Sequence, residues 1–318
     1  MRIFLAPMEG VVDFHVRELM SAVGGIDTCV TEFVRVANNV LPAKVFRRYC
    51  PEIENQYRTR SGVPVRIQLL GSNPVLMALN AATLANCGAR AIDLNFGCPA
   101  KTVNKSGGGA NLLKEPEQVF QIVRAVRQAV PANISVSAKI RLGFEDRSLY
   151  LENAWAIFEA GANELTVHAR SKADGYKPPA YWSYIGDIKR QLPIPIIANG
   201  EIWSVEDYFR CVEQSGCEDV MIGRGLLACP DLGLQIKATL AGEEYRPMTW
   251  TQTCALLYKF YQETKTIYSH KNLGNRVKQW LVYLRLHYPT AGQMFDQIKR
   301  QRTEREIETT FEQYLLSR

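Results

Sequence analysis

Short apolar segments rich in β-branched residues recur along the first two thirds of the chain, and stretches with helical spacing separate them. We predict a strand in each of eight segments: IFLAP (3–7), TCVTEF (28–33), VRIQLL (65–70), AIDLNF (91–96), SVSAKI (135–140), ELTVHA (164–169), PIIANG (195–200) and DVMIG (219–223). Helices are predicted near residues 13–23, 74–87, 116–129, 150–160, 182–191, 204–215 and 230–241. Residues 34–64 show no regular pattern. Eight strands that alternate with helices are typical of a closed parallel barrel, the (β/α)8 or TIM barrel, rather than of an open sheet.

The pattern changes after the last of these helices. The rest of the chain contains only helical spacing, with no strand candidate and no low-complexity linker. Within residues 272–289 an apolar stripe predicts a helix, and Pro289 is expected to end it. The stripe is formed by Val277, Trp280, Leu281, Leu284 and Tyr288. We therefore divide the chain into a barrel domain, residues 1–242, and an all-helical C-terminal domain, residues 243–318, of about four helices.

The composition excludes several classes of protein. The 318 residues are 47% hydrophobic and 22% charged, as in an ordinary globular protein. No segment has the roughly 20 apolar residues of a membrane span, and Glu9 and Asp13 interrupt the short apolar N-terminus. We therefore expect a cytoplasmic protein without a membrane contact. The eight cysteines are scattered, so we expect neither disulfides nor a bound metal, and no feature indicates an obligate protein partner.

Positive charge is concentrated in one segment. The formal net charge is +6, and residues 265–302 hold eight basic residues against one acid, Asp296. Such an excess suggests a polyanionic partner, and the alternative is an ordinary solvated helix face. Arg276 lies on one flank of the apolar stripe and Lys278 and Arg285 lie on the other. We expect these basic flanks to be left free.

Polar side chains stand at the C-terminal ends of nearly all the predicted strands. Those ends open onto one face of a parallel barrel, where active sites form. A barrel that serves only as a scaffold needs no such rim, so we predict a site for a large polar ligand. The rim residues are Pro7, Met8, Glu9, Glu32, Arg35, Gln68, Asn95, Cys98, Lys139, Arg141, His168, Arg170, Asn199, Glu201, Gly223 and Arg224.

Two glycine-containing turns follow the last two predicted strands, ANGEI (198–202) and IGRGLL (222–227). Loops at these positions commonly bind phosphate in such barrels, because glycine lets backbone N–H groups approach an anion closely. Arg224 would add a charge-assisted hydrogen bond. The alternative is that both segments are tight turns and helix caps without a ligand.

Lys139 and Arg141 are two residues apart, so they lie on the same side of their strand and face the same ligand. An unpaired buried ammonium is costly, which indicates an anionic or carbonyl partner. The alternative is an ion pair between Lys139 and Glu9 or Asp93. The imidazole of His168 could donate to a phosphate or a ring carbonyl, or could be a satisfied structural group.

The turn Gly97–Pro99 places one thiol, Cys98, at the predicted rim. A nucleophilic cysteine needs a base beside it, and no histidine is near in sequence. A thiol can instead donate a proton to a carbon that becomes electron-rich. Its ordinary pKa of roughly 8.5 keeps it mostly protonated at neutral pH. Proton donation therefore fits at least as well as nucleophilic attack.

Nine motifs resemble those of the bacterial tRNA-dihydrouridine synthases, and most closely those of their C branch. They are APMEG (6–10), TEFVRV (31–36), QLLG (68–71), DLNFGCPAKTVNKSGGGANLL (93–113), KIRLG (139–143), VHARS (167–171), IANGEI (197–202), MIGRGLL (221–227) and RVKQWLVYLR (276–285). The resemblance covers the whole chain. It implies an FMN-dependent barrel that uses NADPH as reductant and reduces the C5–C6 bond of a uridine in the tRNA D-loop, at position 16 in the C branch.

The resemblance also implies roles for individual residues. It assigns FMN to Pro7, Met8, Glu9, Gln68, Lys139 and His168, and its phosphate to Asn199, Gly200, Glu201, Gly223 and Arg224. Asn95 and Arg141 would hold the flipped uracil, while Cys98 would protonate C5 as the hydride reaches C6 from flavin N5. Contacts to the rest of the tRNA would come from Arg35, Arg276, Lys278, Lys299 and Arg300.

Three positions depart from the family's pattern: Ala169 replaces a frequent glycine, Glu201 a frequent aspartate, and residues 107–109 are three consecutive glycines. Two alternatives also stay open. One is a small-molecule flavin dehydrogenase of the dihydroorotate dehydrogenase type, which has no evident need for a separate basic helical domain. The other is a flavin-free barrel that binds RNA or a phosphosugar.

Overall fold

The computed structural model describes residues 1–267 and 272–316. Eight parallel strands close into a barrel in chain order, with β1 paired to β8. The strands are β1 (Ile3–Leu5), β2 (Thr28–Arg35), β3 (Val65–Leu70), β4 (Ala91–Phe96), β5 (Ser135–Arg141), β6 (Glu164–His168), β7 (Ile196–Asn199) and β8 (Val220–Ile222). The predicted (β/α)8 architecture is confirmed.

Helices follow the strands along the chain. They are α1 (Phe14–Val23), α2 (Ala43–Tyr49), α3 (Pro74–Asn86), α4 (Lys101–Lys105), α5 (Pro116–Ala129), α6 (Tyr150–Glu159), α7 (Trp182–Gln191), α8 (Val205–Ser215), α9 (Arg224–Ala228) and α10 (Leu232–Ala241). Two 3-10 helices cover Pro51–Asn55 and Gly109–Lys114. The seven helices predicted from the sequence are all present. The sequence analysis missed α2, α4 and α9, because helices this short hold too few turns to show a period.

Both faces of the barrel strands are buried. Phe4, Val30, Ile197 and Met221 form a small cluster that is separate from the main core. The main core lies between the strands and the surrounding helices, with residues such as Leu94. Strands buried on both faces read as nearly continuous apolar runs, which explains why the strand segments lack strict alternation.

The strand register brings the candidate residues to two neighbouring rows of the barrel, two residues apart along β5. Asn95 on β4 is paired with Lys139 on β5. Arg141, His168 and Asn199 are neighbours across β5, β6 and β7. Because all strands are parallel, these residues lie together at the C-terminal end of the barrel.

The described residues after α10 form four further helices: α11 (Trp250–Thr264), α12 (Asn275–Leu284), α13 (Pro289–Ile298) and α14 (Glu304–Leu316). The predicted apolar stripe on α12 is buried. Its Trp280 Nε1 donates to the Leu227 carbonyl at 2.9 Å, which ties α12 to the barrel. One expectation was wrong: α12 ends at Leu284, and Pro289 begins α13, because proline lacks the N–H that the first helical position leaves unused.

Further observations concern membrane spans, metal sites and disulfides. Within residues 1–267 and 272–316, no helix is long and apolar enough to cross a bilayer. The same residues contain no group of three His, Cys, Asp or Glu side chains that could hold a metal ion. All eight cysteines are free thiols. The division after residue 242 stays a proposal, and Gly242 ends α10 there with a φ of 68°.

A buried ion pair holds α1 to the 3-10 helix Pro51–Asn55. Arg17 donates to the Glu52 carboxylate through Nε at 2.7 Å and Nη2 at 2.9 Å. Neither side chain is exposed to solvent. We expect Glu52→Gln to lower the free energy of unfolding by about 3 kcal/mol, because Arg17 would keep a buried charge without its counter-ion.

Urea denaturation followed by circular dichroism measures this loss. The control is Glu54→Gln, which removes an exposed ion pair with Arg47 and should leave the unfolding midpoint unchanged. Equal destabilisation of the two variants would contradict the importance of the buried pair.

Candidate active site

A cavity of about 560 Å³ opens at the C-terminal ends of the strands. Its volume lies within the roughly 300–1,000 Å³ of small-molecule sites. The structure brings fourteen of the predicted site residues together in its wall: Pro7, Met8, Glu9, Gln68, Asn95, Cys98, Lys139, Arg141, His168, Asn199, Gly200, Glu201, Gly223 and Arg224.

A buried hydrogen-bond chain crosses the floor of this cavity. Asp93 accepts from Ser137 Oγ and from Gln68 Nε2, each at 2.6 Å. The oxygen of the Gln68 amide then accepts from Asn95 Nδ2 at 2.7 Å. A carboxylate only accepts, so both amides must point their N–H groups toward Asp93. Each amide keeps one further N–H that this chain does not use.

The turn that carries Cys98 is held from both sides. Asn95 Oδ1 accepts from the backbone N–H groups of Gly97 and Cys98, each at 2.9 Å. The Cys98 carbonyl accepts from the Ala110 N–H at 3.0 Å. A β-carbon at Gly109, where φ is +59°, would lie 2.7 Å from that carbonyl oxygen. The glycine-rich stretch therefore lets the chain fold back onto the cysteine turn.

Cys98 is buried, with 9% of the residue exposed. Burial raises its pKa, and a hydrogen bond from the Ala100 backbone N–H and the nearby Arg141 and Lys139 oppose this shift only in part. At neutral pH the sulfur keeps its proton, which suits a proton donor rather than a nucleophilic thiolate.

Lys139 reaches the cavity without a counter-ion among the described residues. Neither Glu9 nor Asp93, the two alternative partners, lies within ion-pair distance of its ammonium group. Burial lowers the pKa of Lys139 to about 8, and the neighbouring Arg141 contributes to this shift. Arg141 is itself hydrogen-bonded to backbone carbonyls, including Gly97 O at 2.9 Å. Two adjacent cations favour a ligand with an electron-rich edge.

His168 is buried, and its Nδ1 has no hydrogen-bond partner among the described residues. Burial, reinforced by Arg141 and Lys139, holds the pKa of His168 well below its usual range, so the ring is neutral. A β-carbon at Gly200 would lie 3.4 Å from His168 Nε2. His168 thus lines the cavity as a neutral imidazole with one unsatisfied polar atom. This indicates that a ligand completes the site.

The two glycine turns meet at one end of the cavity. A β-carbon at Gly225 would lie 2.1 Å from the Ile202 carbonyl, so only glycine allows the close approach. The carboxylate of Glu201 accepts from Arg224 at 2.7 Å and from Arg170 at 3.1 Å. Since a carboxylate repels a phosphate, Glu201 is placed to orient Arg224 rather than to touch an anion with its own side chain.

Four aromatic residues of the cavity were missed by the sequence analysis: Phe33, Tyr176, Trp203 and Tyr283. The ring of Tyr176 lies under the guanidinium groups of Arg141 and Arg224, 5.1 and 5.0 Å from the ring centre. Tyr176 belongs to a loop, where side chains follow no period. Tyr283 comes from α12, and no local signal indicates that this helix reaches the barrel mouth.

The predicted tRNA-binding residues lie outside the cavity. Arg35 is exposed and donates to Ser106 Oγ at 2.7 Å. Lys299 is exposed and pairs with Asp296 at 2.6 Å. Arg300 is exposed and has no ion-pair partner in the described part of the chain.

The expectation that the basic flanks of α12 are free was wrong for two residues. Lys278 Nζ donates to the Gln301 carbonyl at 2.6 Å. Arg276 binds the loop after β1, including an ion pair with Asp13 at 2.7 Å. Lys271, in the same basic segment, lies outside the described residues. The charge excess is therefore used partly within the protein.

The chain matches known proteins over nearly its full length. The family model of dihydrouridine synthase (Dus) matches residues 4–316. A tRNA-dihydrouridine(16) synthase of Pseudomonas putida is 52% identical over 301 residues, covering 95% of this chain and 93% of that protein. One of Shewanella oneidensis is 49% identical over 313 residues, 98% of each. A solved complex of 2-naphthoyl-CoA reductase has a TM-score of 0.57 at 12% identity, covering 87% of this chain and 56% of that one, and is alike in fold alone.

The protonation state of Cys98 can be measured directly. We expect its alkylation by iodoacetamide to rise with pH through a midpoint above the roughly 8.5 of a free thiol, because burial raises its pKa. Peptide mass spectrometry after short exposures at graded pH gives the midpoint for this one residue. A midpoint below neutral pH would show a thiolate and would favour nucleophilic attack.

Proposed function

Because this chain belongs to the dihydrouridine synthase family, we propose that it reduces the C5–C6 bond of a uridine in the D-loop of tRNA. The names of its relatives specify position 16, and we propose the same position here. The observation that carries the proposal is that one cavity brings together the Cys98 thiol, the cationic groups of Lys139 and Arg141, and the imidazole of His168. This set can donate a proton and stabilise negative charge.

The cavity fits a flavin. Lys139 has no counter-ion among the described residues, and the buried Nδ1 of His168 has no hydrogen-bond partner there; both observations support a polar ligand in this cavity. We propose FMN, with its ring beside Gln68, Lys139 and His168 and its phosphate near Asn199, Gly200, Gly223 and Arg224. Pro7, Met8 and Glu9 would contact one edge of the ring. Bound FMN supplies the hydride that reaches C6, and NADPH is the proposed reductant.

The protein residues then have separate tasks. Lys139 and Gln68 would hold the flavin ring by donating hydrogen bonds to it. Asn95 has already used its oxygen on the cysteine turn, so it offers uracil only an N–H donor, and Arg141 offers another. As C6 gains the hydride, the electron pair left at C5 takes the proton of Cys98. The resulting thiolate regains a proton from solvent.

A uridine can reach this cavity only after it leaves its stack in the folded RNA. We propose that Arg35, Lys299 and Arg300, which are exposed, contact tRNA phosphates. Lys278 would join them if its hydrogen bond to Gln301 opens. The helical domain, residues 243–318, is then a tRNA-recognition domain. The enzyme would act in the cytoplasm, where its substrate and NADPH are found.

The first test removes the proton donor. We expect Cys98→Ala to slow uridine reduction by about 100-fold or more, because a positioned general acid contributes at least this much. Binding of tRNA and oxidation of NADPH by bound flavin should stay within about twofold. Dihydrouridine formation in a tRNA transcript gives the rate.

Cys87→Ala is the matched control, since Cys87 lies on the outer side of the barrel at the end of α3. A normal rate in Cys98→Ala would contradict proton donation by this thiol. Wild-type protein reconstituted with FMN should absorb near roughly 450 nm. If it retains no flavin, a flavin-free RNA-binding barrel becomes the better interpretation.

The second test uses the pKa of Lys139. Since that pKa is lowered to about 8, the ammonium is charged below this pH and neutral above it. We expect the FMN affinity of deflavinated protein to fall as the pH rises through 8, or slightly higher where the ligand stabilises the charge. Lys139→Met should bind FMN more weakly at pH 7 and show no such step. Fluorescence titration from pH 7 to 9.5 measures both, and an identical step in the variant would assign it to another group.

A further inference from the structure

The loop after β1, residues 7–13, forms one wall of the cavity and is held by the C-terminal helical region. Pro7, Met8, Glu9 and Val11 of this loop line the cavity. The backbone of the same loop accepts hydrogen bonds from α12. The loop therefore lies between the proposed flavin site and a helix that is distant in sequence.

Arg276 makes most of these contacts. Its Nη1 donates to the Gly10 carbonyl at 2.7 Å. Its Nη2 donates to the Val11 carbonyl at 2.8 Å and to Asp13 Oδ2 at 2.7 Å. Gln279, one turn further along α12, donates to the same Gly10 carbonyl at 2.8 Å. Charge-assisted bonds of this kind are the stronger class of hydrogen bond.

Arg276 is largely buried, and neighbouring groups hold the loop that it contacts. Only 14% of its side chain is exposed, and its guanidinium lies 5.8 Å from the centre of the Phe260 ring. Asp13 also caps α1 by accepting from the Val16 N–H. On the other side of the loop, the Gly10 N–H donates to Glu32. The loop is thus fixed from both sides, and a phosphate could reach the Nη groups of Arg276 only by displacing these bonds.

We propose that Arg276 and Gln279 are positioning residues that hold the β1–α1 loop in place, so that α12 shapes the cofactor side of the cavity. Tyr283 supports this assignment, since it follows Arg276 by seven residues on the same helix face and lines the cavity itself. The inference rests on the proposed function in one respect, that the cavity binds FMN. It assigns Arg276 a role different from the direct tRNA contact that the resemblance implies.

Lys278 provides a matched comparison. It carries the same charge and lies on the same helix, but its ammonium donates to Gln301 within the helical region. If Arg276 served only to attract RNA, Arg276→Ala and Lys278→Ala would behave alike. If Arg276 positions the loop, only its replacement changes the affinity for FMN. Gln279→Ala separates the two effects further, because it removes a loop contact without changing the charge.

The experiment titrates deflavinated full-length protein with FMN in the absence of tRNA. We expect Arg276→Ala to weaken FMN binding about tenfold and Gln279→Ala about threefold, through loss of hydrogen bonds that order the loop. Lys278→Ala should stay within about twofold of wild type. In parallel, tRNA affinity is measured at increasing salt concentrations. The slope of log affinity against log salt concentration should become shallower for Lys278→Ala and stay unchanged for Gln279→Ala.

FMN binding by Arg276→Ala and Gln279→Ala within about twofold of wild type would overturn the positioning role. If Arg276→Ala loses tRNA affinity but keeps its FMN affinity, a direct contact between Arg276 and tRNA becomes the better interpretation. If Arg276→Ala does not fold, Gln279→Ala and Arg276→Lys decide, and unchanged FMN affinity in both would overturn the proposal. If the wild-type protein itself does not bind FMN, the proposed function is contradicted. This outcome differs from the one that contradicts the positioning role, in which wild type and variants bind FMN equally well.

Discussion

The buried carboxylate of Asp93 ends the hydrogen-bond chain on which the candidate site depends. Burial raises its pKa, while the bonds from Gln68 and Ser137 oppose that rise. The chain has one direction, because a carboxylate accepts at one end and the backbone N–H groups of Gly97 and Cys98 donate at the other. The side-chain amides of Gln68 and Asn95 lie between these two ends, so the orientation of each amide is fixed. The floor of the cavity therefore presents donors, which suits rings whose edges carry carbonyl oxygens.

Burial acts in opposite directions on the two titratable groups beside this chain. It raises the pKa of Cys98 and lowers that of Lys139 to about 8, because an apolar environment disfavours the charged form of each. The proton therefore stays firmly on the thiol and less firmly on the amine. Lys139 and Arg141 both lack a carboxylate counter-ion in the described part of the chain, and an electron-rich ligand would offset the cost of burying them.

The helical region and the barrel share the site rather than divide it. Trp280 donates to a barrel carbonyl, Tyr283 enters the cavity wall, and Arg276 holds the β1–α1 loop. The basic residues of the helical region are therefore not equivalent: some, such as Arg276, bind the barrel, and others, such as Arg300, are exposed. The proposed division after residue 242 marks a change in secondary structure, but residues on both sides of it line the cavity.

The sequence by itself determined the barrel and most of the cavity wall. Alternating strands and helices must close in order, and parallel strands bring their C-terminal ends to one face, so the positions of Asn95, Cys98, Lys139 and His168 at strand ends were enough to place them together. Local patterns could not reveal α2, α4 or α9, which are too short for a period, nor the loop residue Tyr176. Tertiary structure alone decided that Arg276 faces Gly10, 266 residues away. A helical period shows which face of α12 is apolar, but the partner of each flank depends on how distant elements meet in space.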